Sequence, residues 1–185
     1  MSKTSNRPKL REPSCHNCPS HFRYEGNFAI KKSGLTMHPG ERFCVFEKKA
    51  RRFQKRDPVV RVPSWCPKRL EKRKLRIYGF KDAESWLLHE RLCHDLGKDL
   101  SPEGRHYIVE QEMDTELTAK EFWERSLSET DAALLDGVTL TQYQVLEIDD
   151  GLQPAYFYKT GHGYAYEPFF NAKAALPLTT RKNEL

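Results

Sequence analysis

The sequence predicts an α+β chain in two parts, a small basic module short of core residues and then an α+β domain containing an antiparallel β-hairpin. Three observations lead there. Four of the five cysteines fall within residues 15–66, a stretch rich in proline and poor in periodic apolar runs. Lys and Arg dominate residues 1–81, 22 against 6 Asp and Glu, a net of +16, whereas residues 110–150 hold 2 against 12, a net of −10. Beyond residue 81, helical and alternating apolar patterns follow one another. At 185 residues, with 38% hydrophobic and 31% charged side chains, there is material for one or two compact units of modest core.

Residues 1–13 are polar and expected to be disordered. Residues 14–81 form the basic module. Within it, Phe43, Phe46, Ala50 and Phe53 recur at helical spacing, so the spacing predicts a helix over "RFCVFEKKARRFQKR", ended by Asp57-Pro58. "DPVVRVPSWCPKRL" carries three prolines and is expected to be extended. "KLRIYGF", residues 74–80, reads as a strand.

Residues 82–185 form the second domain, with its acidic segment at 110–150. Asp82 can cap the amphipathic helix "AESWLLHERLCHDL", with apolar positions Trp86, Leu87, Leu92 and Leu96, and Gly97 can close it. "HYIVEQEM", residues 106–113, is a strand. Thr118-x-x-Glu121 is a capping box opening a third helix around "KEFWERSL". "TLTQYQVLEI" (139–148), the turn Asp149-Asp150-Gly151 and "LQPAYFYKT" (152–160) make the hairpin, with "GHG" (161–163) as a turn into a further strand, "GYAYEPFF".

The first four cysteines, Cys15, Cys18, Cys44 and Cys66, read C-x2-C-x25-C-x21-C. Zinc takes four soft ligands in a tetrahedron, and a C-x2-C knuckle offers two from one tight turn. Cys44 falls at the start of the predicted basic helix, where the helix dipole and nearby cations favour thiolate. Cys66 lies between Trp65 and Pro67 in a stretch too proline-rich for a helix. A knuckle plus a ligand at a helix start is a treble-clef-like arrangement, with a structural Zn2+ because four cysteines leave no open position. His16, His21 or His38 could replace one cysteine. The alternatives are four buried free thiols, or a thioredoxin-like redox pair, which would need a βαβ setting that is missing here. Cys93 is left over as a small core residue.

Catalytic patterns are near-misses. "HERLCH" (89–94) places its second histidine at i+5 instead of the i+4 of H-E-x-x-H, with Cys93 in the ligand position. "CHNC" invites comparison with metal-dependent HNH-like nucleases, but no later Asn/His metal pair follows. Adjacent helical residues such as Cys93 and His94 point apart, which disfavours them as nucleophile and base. No Gly-rich phosphate loop is present. The sequence therefore predicts no enzyme, no catalytic residue and no small-molecule substrate.

The one-sided charge predicts DNA or RNA as partner, held mainly by its backbone. "KKARRFQKR" and "PKRLEKRKLR" carry six cations each, with Phe43, Phe53, Trp65 and Tyr78 among them, as a surface that meets phosphates and bases would. The candidate contacts are Lys48, Lys49, Arg51, Arg52, Lys55, Arg56, Lys68 and Arg69. The acidic segment admits a second class of function, since dense carboxylates can imitate duplex charge and compete for a nuclease groove. No apolar run approaches the ~20 residues that span a bilayer, and the start has no apolar h-region, so no membrane association and a cytoplasmic location are expected.

The run C-x2-C … PGERFC … RRF-x3-DP … VP-x-WCPKR … LRIYGFK, over residues 15–81, resembles small zinc-knuckle proteins encoded by bacteriophages and mobile elements of Gram-positive bacteria. The resemblance implies a bacterial host cell. It also implies an alternative role as an inhibitor of anti-CRISPR or anti-restriction type, directed at a host nuclease or ribonucleoprotein effector. It does not cover residues 82–185.

Overall fold

The computed structural model describes residues 10, 13–32 and 34–178, so the expected disordered tail lies almost wholly outside the described residues. The architecture is α+β with antiparallel sheets and few helices. The chain divides into two compact units, one running from Glu12 to Arg69 and the other from Leu70 onward.

The smaller unit is built of strands. β1 (His21–Arg23) pairs with β4 (Arg42–Phe46), and β4 pairs with β5 (Lys49–Arg52), giving a three-stranded antiparallel sheet. A separate hairpin joins β2 (Ile30–Lys32) to β3 (Leu35–Met37). The helix expected over residues 42–56 is thus corrected: β4 and β5 occupy its place. They are joined through Glu47 and Lys48, whose φ angles of 49° and 66° make a two-residue turn with both positions left-handed. Such turns normally advertise themselves with Asn-Gly, and Glu-Lys does not. Cys44 accordingly sits mid-strand opposite His21, not at a helix start. The proline-rich run 57–69 is non-helical, but it passes through bends and turns instead of running extended.

The larger unit is a five-stranded antiparallel sheet in the order β10-β9-β8-β6-β7. Its strands are β6 (Arg73–Phe80), β7 (Tyr107–Thr115), β8 (Val145–Asp149), β9 (Ala155–Thr160) and β10 (Gly163–Tyr166). Charge groups β6 with the basic module, yet it is an inner strand of this sheet, paired with β7 and β8. Helices α1 (Ala83–Leu96), α2 (Ala119–Arg125) and α3 (Asp131–Leu134) complete the unit.

Strand alternation sends side chains to two faces. On one, Leu75, Ile77, Leu146, Ile148 and Phe157 pack with Phe122 of α2 and Leu134 and Leu135. On the other, Tyr78, Val145 and Tyr158 pack with Cys93 of α1, Tyr107 and Phe170. Local signals place the helix ends. The Asp82 carboxylate accepts from the Ser85 N–H at 2.7 Å, Gly97 closes α1 at φ 62°, and Thr118 with Glu121 forms the full capping box. Gly104 is required by packing, because a Cβ there would collide with the Asn171 carbonyl. The hairpins β8–β9 and β9–β10 form, although β8 starts only at Val145 and β9 only at Ala155, with residues 150–154 as the connection between them.

The face of α1 that packs is unexpected. Its buried residues are Ser85 and Cys93, while Trp86, Leu87, Leu88, Leu92 and Leu96 are exposed. His89, half-buried, completes the packed stripe: its Nε2 lies 2.6 Å from the Tyr158 hydroxyl, and Phe80 and Tyr143 flank its ring. Among the described residues, no helix is long and apolar enough to cross a membrane.

Candidate metal centre and nucleic-acid interface

Cys15 and Cys18 occupy one tight turn. The Cys18 N–H donates to the Cys15 carbonyl at 3.1 Å, and the His21 N–H to the Cys18 carbonyl at 2.9 Å, leading directly into β1. The turn is tied to the proline-rich segment by the Cys15 N–H, which donates to the Val60 carbonyl at 3.1 Å. Ser14 Oγ donates to the same carbonyl at 3.0 Å. Cys66 sits in a second run of turns, its N–H donating to the Pro63 carbonyl and its carbonyl accepting from Arg69, both at 3.1 Å. Cys44 comes from β4 and packs with Cys15 and Phe53, against which Phe46, Val62 and Trp65 lie.

The four thiols are electrostatic neighbours. Burial pushes the Cys15 thiol up, and the negative charge that Cys66, Cys18 and Cys44 would carry pushes it further. Cys44 is raised by burial, then by Cys66 and Cys18. Cys18 goes the other way: burial is outweighed by hydrogen bonds from Ser20 and from Lys68, whose Nζ donates to Cys18 Sγ at 3.4 Å. Mutual repulsion among thiolates is what a divalent cation would relieve, and four cysteines are the donor chemistry zinc takes. Among the described residues, however, no three His, Cys, Asp or Glu side chains already stand at ligand spacing.

Of the three histidines that could replace a cysteine, His16 and His38 are exposed. His21 is opposite Cys44 in the sheet, its ring meets Phe53 edge-on at 5.3 Å, and its buried Nε2 has no hydrogen-bond partner among the described residues. Burial, then the charges of Arg42 and His16, lowers its pKa.

The expected phosphate contacts divide into two groups. Lys48 and Lys49 at the β4–β5 turn, with Lys55 and Arg56 beyond β5, are exposed. The others are also drawn into the unit's packing. The Arg51 guanidinium covers the Trp65 ring at 4.1 Å, and Lys68 lies over Phe46 at 5.6 Å. Arg52 pairs with Glu41 at 3.4 Å, donates to the Thr36 carbonyl and lies over Phe43. Arg69 is half-buried beside the Cys66 turn. An open pocket of about 340 Å³ lies beside Cys44, lined by Phe46, Glu47, Lys49, Arg51 and Trp65.

Two contributions escaped sequence reasoning. Arg42 holds the proline-rich segment, its Nη1 donating to the carbonyls of Pro58 and Val59 at 2.9 Å while its guanidinium covers Phe53 at 4.8 Å. Lys31 and Lys32 stand exposed on β2, legible only as a lysine pair.

The acidic segment is largely engaged at home. Arg76 on β6 donates to Glu112 at 2.6 Å and to Glu147 at 2.9 Å, and Lys74 reaches Asp114 at 2.7 Å. Buried Asp131 accepts from Lys159 at 3.1 Å and from the Leu140 N–H. Comparison with family models, with curated proteins and with solved structures finds no match to this chain.

Proposed function

We propose that this chain is a non-enzymatic protein whose smaller unit binds a structural zinc ion and contacts nucleic acid through its phosphates. Cys15, Cys18, Cys44 and Cys66 hold the metal, with His21 as the substitute should one cysteine stand off. The observation carrying the reading is that thiols from three separate segments, the Cys15–Cys18 turn, Cys44 and Cys66, are electrostatic neighbours in a unit that has 13 Lys and Arg against 5 Asp and Glu between Glu12 and Arg69. A cation at that centre would tie the first turn, β4 and the proline-rich segment together, which is a structural task and leaves chemistry to no open position.

Lys48, Lys49, Lys55 and Arg56 supply the outer phosphate contacts. Arg51, Arg52, Lys68 and Arg69 hold the face in shape and lend it charge. Such contacts position a protein on a backbone without reading bases. The basic face is favoured over the acidic one because the carboxylates of β7 and β8 are occupied by Lys74 and Arg76.

The test measures zinc stoichiometry and fluorescence anisotropy with duplex DNA, single-stranded DNA and structured RNA at ~50 and ~200 mM salt, the range over which phosphate contacts declare themselves. One bound zinc and affinity falling at least ~100-fold across that range support the reading, as does equal weakening on every sequence when Lys48, Lys49 and Lys55 become Glu. Metal-free folded protein, or no binding at the lower salt, overturns it.

A further inference from the structure

One face of the β4–β5 hairpin carries a pocket that the phosphate contacts leave unused. Directly opposite residues of an antiparallel ladder share a face, so Cys44 opposite Arg51 and Phe46 opposite Lys49 put these four side chains on the same side of the sheet. Trp65 meets Arg51 there from the proline-rich segment, and with Glu47 at the turn they line the open pocket of about 340 Å³. That volume lies near the lower end of the ~300–1,000 Å³ that small-molecule sites span, room for one planar base with its sugar and not for a duplex.

The lining has the chemistry of a nucleobase site. Phe46 and Trp65 supply aromatic surface, and the indole is fixed because its Nε1 donates to Asp57 at 3.0 Å while its ring meets Phe53 edge-on at 5.0 Å. The Arg51 guanidinium rests one face on Trp65. Exposed and lining the pocket, it has a second face to give, and guanidinium planes stack on unpaired bases as rings do. Lys49 adds a point charge for the neighbouring phosphate. Glu47 is the odd member. A carboxylate beside Lys48, Lys49 and Arg51 repels phosphate, yet it is exposed at the pocket and, among the described residues, makes no hydrogen bond or ion pair. An ionised carboxylate only accepts. Guanine is the base whose Watson–Crick edge sets two donors side by side, N1–H and the N2 amine, to match two carboxylate oxygens. Adenine and cytosine offer one amine beside a ring-nitrogen acceptor, and thymine or uracil one N–H between two carbonyls. In a duplex that edge is occupied by the partner base.

We infer that this pocket receives one unpaired base of a single strand, guanine in preference to the others, stacked against Arg51 and the aromatic surface with its Watson–Crick edge on the Glu47 carboxylate. The inference rests on the nucleic-acid reading and deepens it: phosphate contacts hold the strand, and one base contact selects unpaired guanine.

The test is fluorescence anisotropy of the full-length, zinc-supplemented chain at ~50 mM salt. The labelled probes are an oligo(dT) of ~10 nucleotides, the same strand with one central dG, and that dG strand annealed to its complement. The single dG should tighten binding about tenfold over oligo(dT), the worth of one well-stacked base, and annealing should erase the gain. A central dA or dC should gain less. Glu47→Gln, at an exposed turn position, should bring the dG strand level with oligo(dT). That ratio is read within one variant, so a general loss of affinity does not move it. Equal wild-type binding of the dG strand and oligo(dT) overturns the inference and leaves the phosphate reading standing. So does a dG advantage that survives annealing or Glu47→Gln, and so does displacement of the strand by equimolar guanosine monophosphate, which would assign the pocket to free nucleotides. Failure to bind any probe overturns both readings.

Discussion

The two units solve the problem of cohesion differently. The larger one buries apolar side chains on both faces of a five-stranded sheet, with Phe122, Phe157, Leu146 and Val145 fully enclosed. Among the described residues, the smaller one gathers Cys15, Cys44 and Phe53 around the thiols, buries Phe43 and Met37 besides, and covers aromatic rings with cations. Cation–aromatic pairs at a surface contribute about 0.5–1 kcal/mol each, far less than enclosing a phenylalanine. The difference indicates where each unit is vulnerable: one to cavities, the other to loss of whatever holds its cysteines. Small domains with so little core generally need a staple.

The largest effect should come from that staple. On the proposed reading, Cys18→Ser or chelation removes free energy on the order of 10 kcal/mol and unfolds the smaller unit. Metal content together with backbone amide signals reads this out; a variant with unchanged amide spectra and melting would break the comparison. The reciprocal experiment is Phe157→Ala, which should cost the larger unit about 3–5 kcal/mol in urea unfolding by opening a cavity beneath Phe122 and Trp123. Bound zinc should be unchanged by it.

A polar row inside the larger unit sharpens the contrast further. Tyr156, Glu147, Arg76 and Glu112 stand side by side across four strands, and Glu147 accepts from the Tyr78 hydroxyl and from Arg76. Burial pushes the Glu147 carboxyl up, against the Tyr78 bond and the Arg76 charge, which lower it. A carboxyl held above its unfolded value near 4.3 stabilises the fold fully only below that value and loses its contribution as pH rises through its folded value. Urea midpoints of the wild type relative to Glu147→Gln should therefore improve as pH falls from 8 toward 4. A difference moving in the opposite direction would show that the ion pair with Arg76 dominates the burial.

Smaller still is the cap of α2. Thr118→Ala should destabilise the larger unit by about 1 kcal/mol, because the Glu121 N–H loses its acceptor. The smallest expected effect is Arg51→Leu, about 0.5–1 kcal/mol in the smaller unit's melting, from the lost contact over Trp65.

The parts of the fold legible in the sequence are those written within a few residues. Asp82 and Gly97 bound α1, Thr118 and Glu121 open α2, and Asp149-Asp150-Gly151 begins the connection from β8 to β9. The β4–β5 hairpin was illegible because Phe43, Phe46, Ala50 and Phe53 mimic a helical stripe and Glu47-Lys48 conceals its left-handed turn. The candidate site was legible as a set of cysteines and cations. Which cations pack on rings and which stand clear was not, since Arg51 and Lys49 look alike until Trp65 arrives from another segment.

By itself the sequence determined the cysteine spacing, the charge asymmetry and the helix ends, because capping and turn chemistry act through bonds that neighbouring residues make with one another. The tertiary structure alone decided that β6 is an inner strand whose cations meet the carboxylates of β7 and β8, and that α1 buries Ser85 and Cys93 while its leucines face outward. Those outcomes depend on partners distant along the chain. Register and facing are set by the summed burial and ion pairing of the whole sheet, a quantity no local window contains.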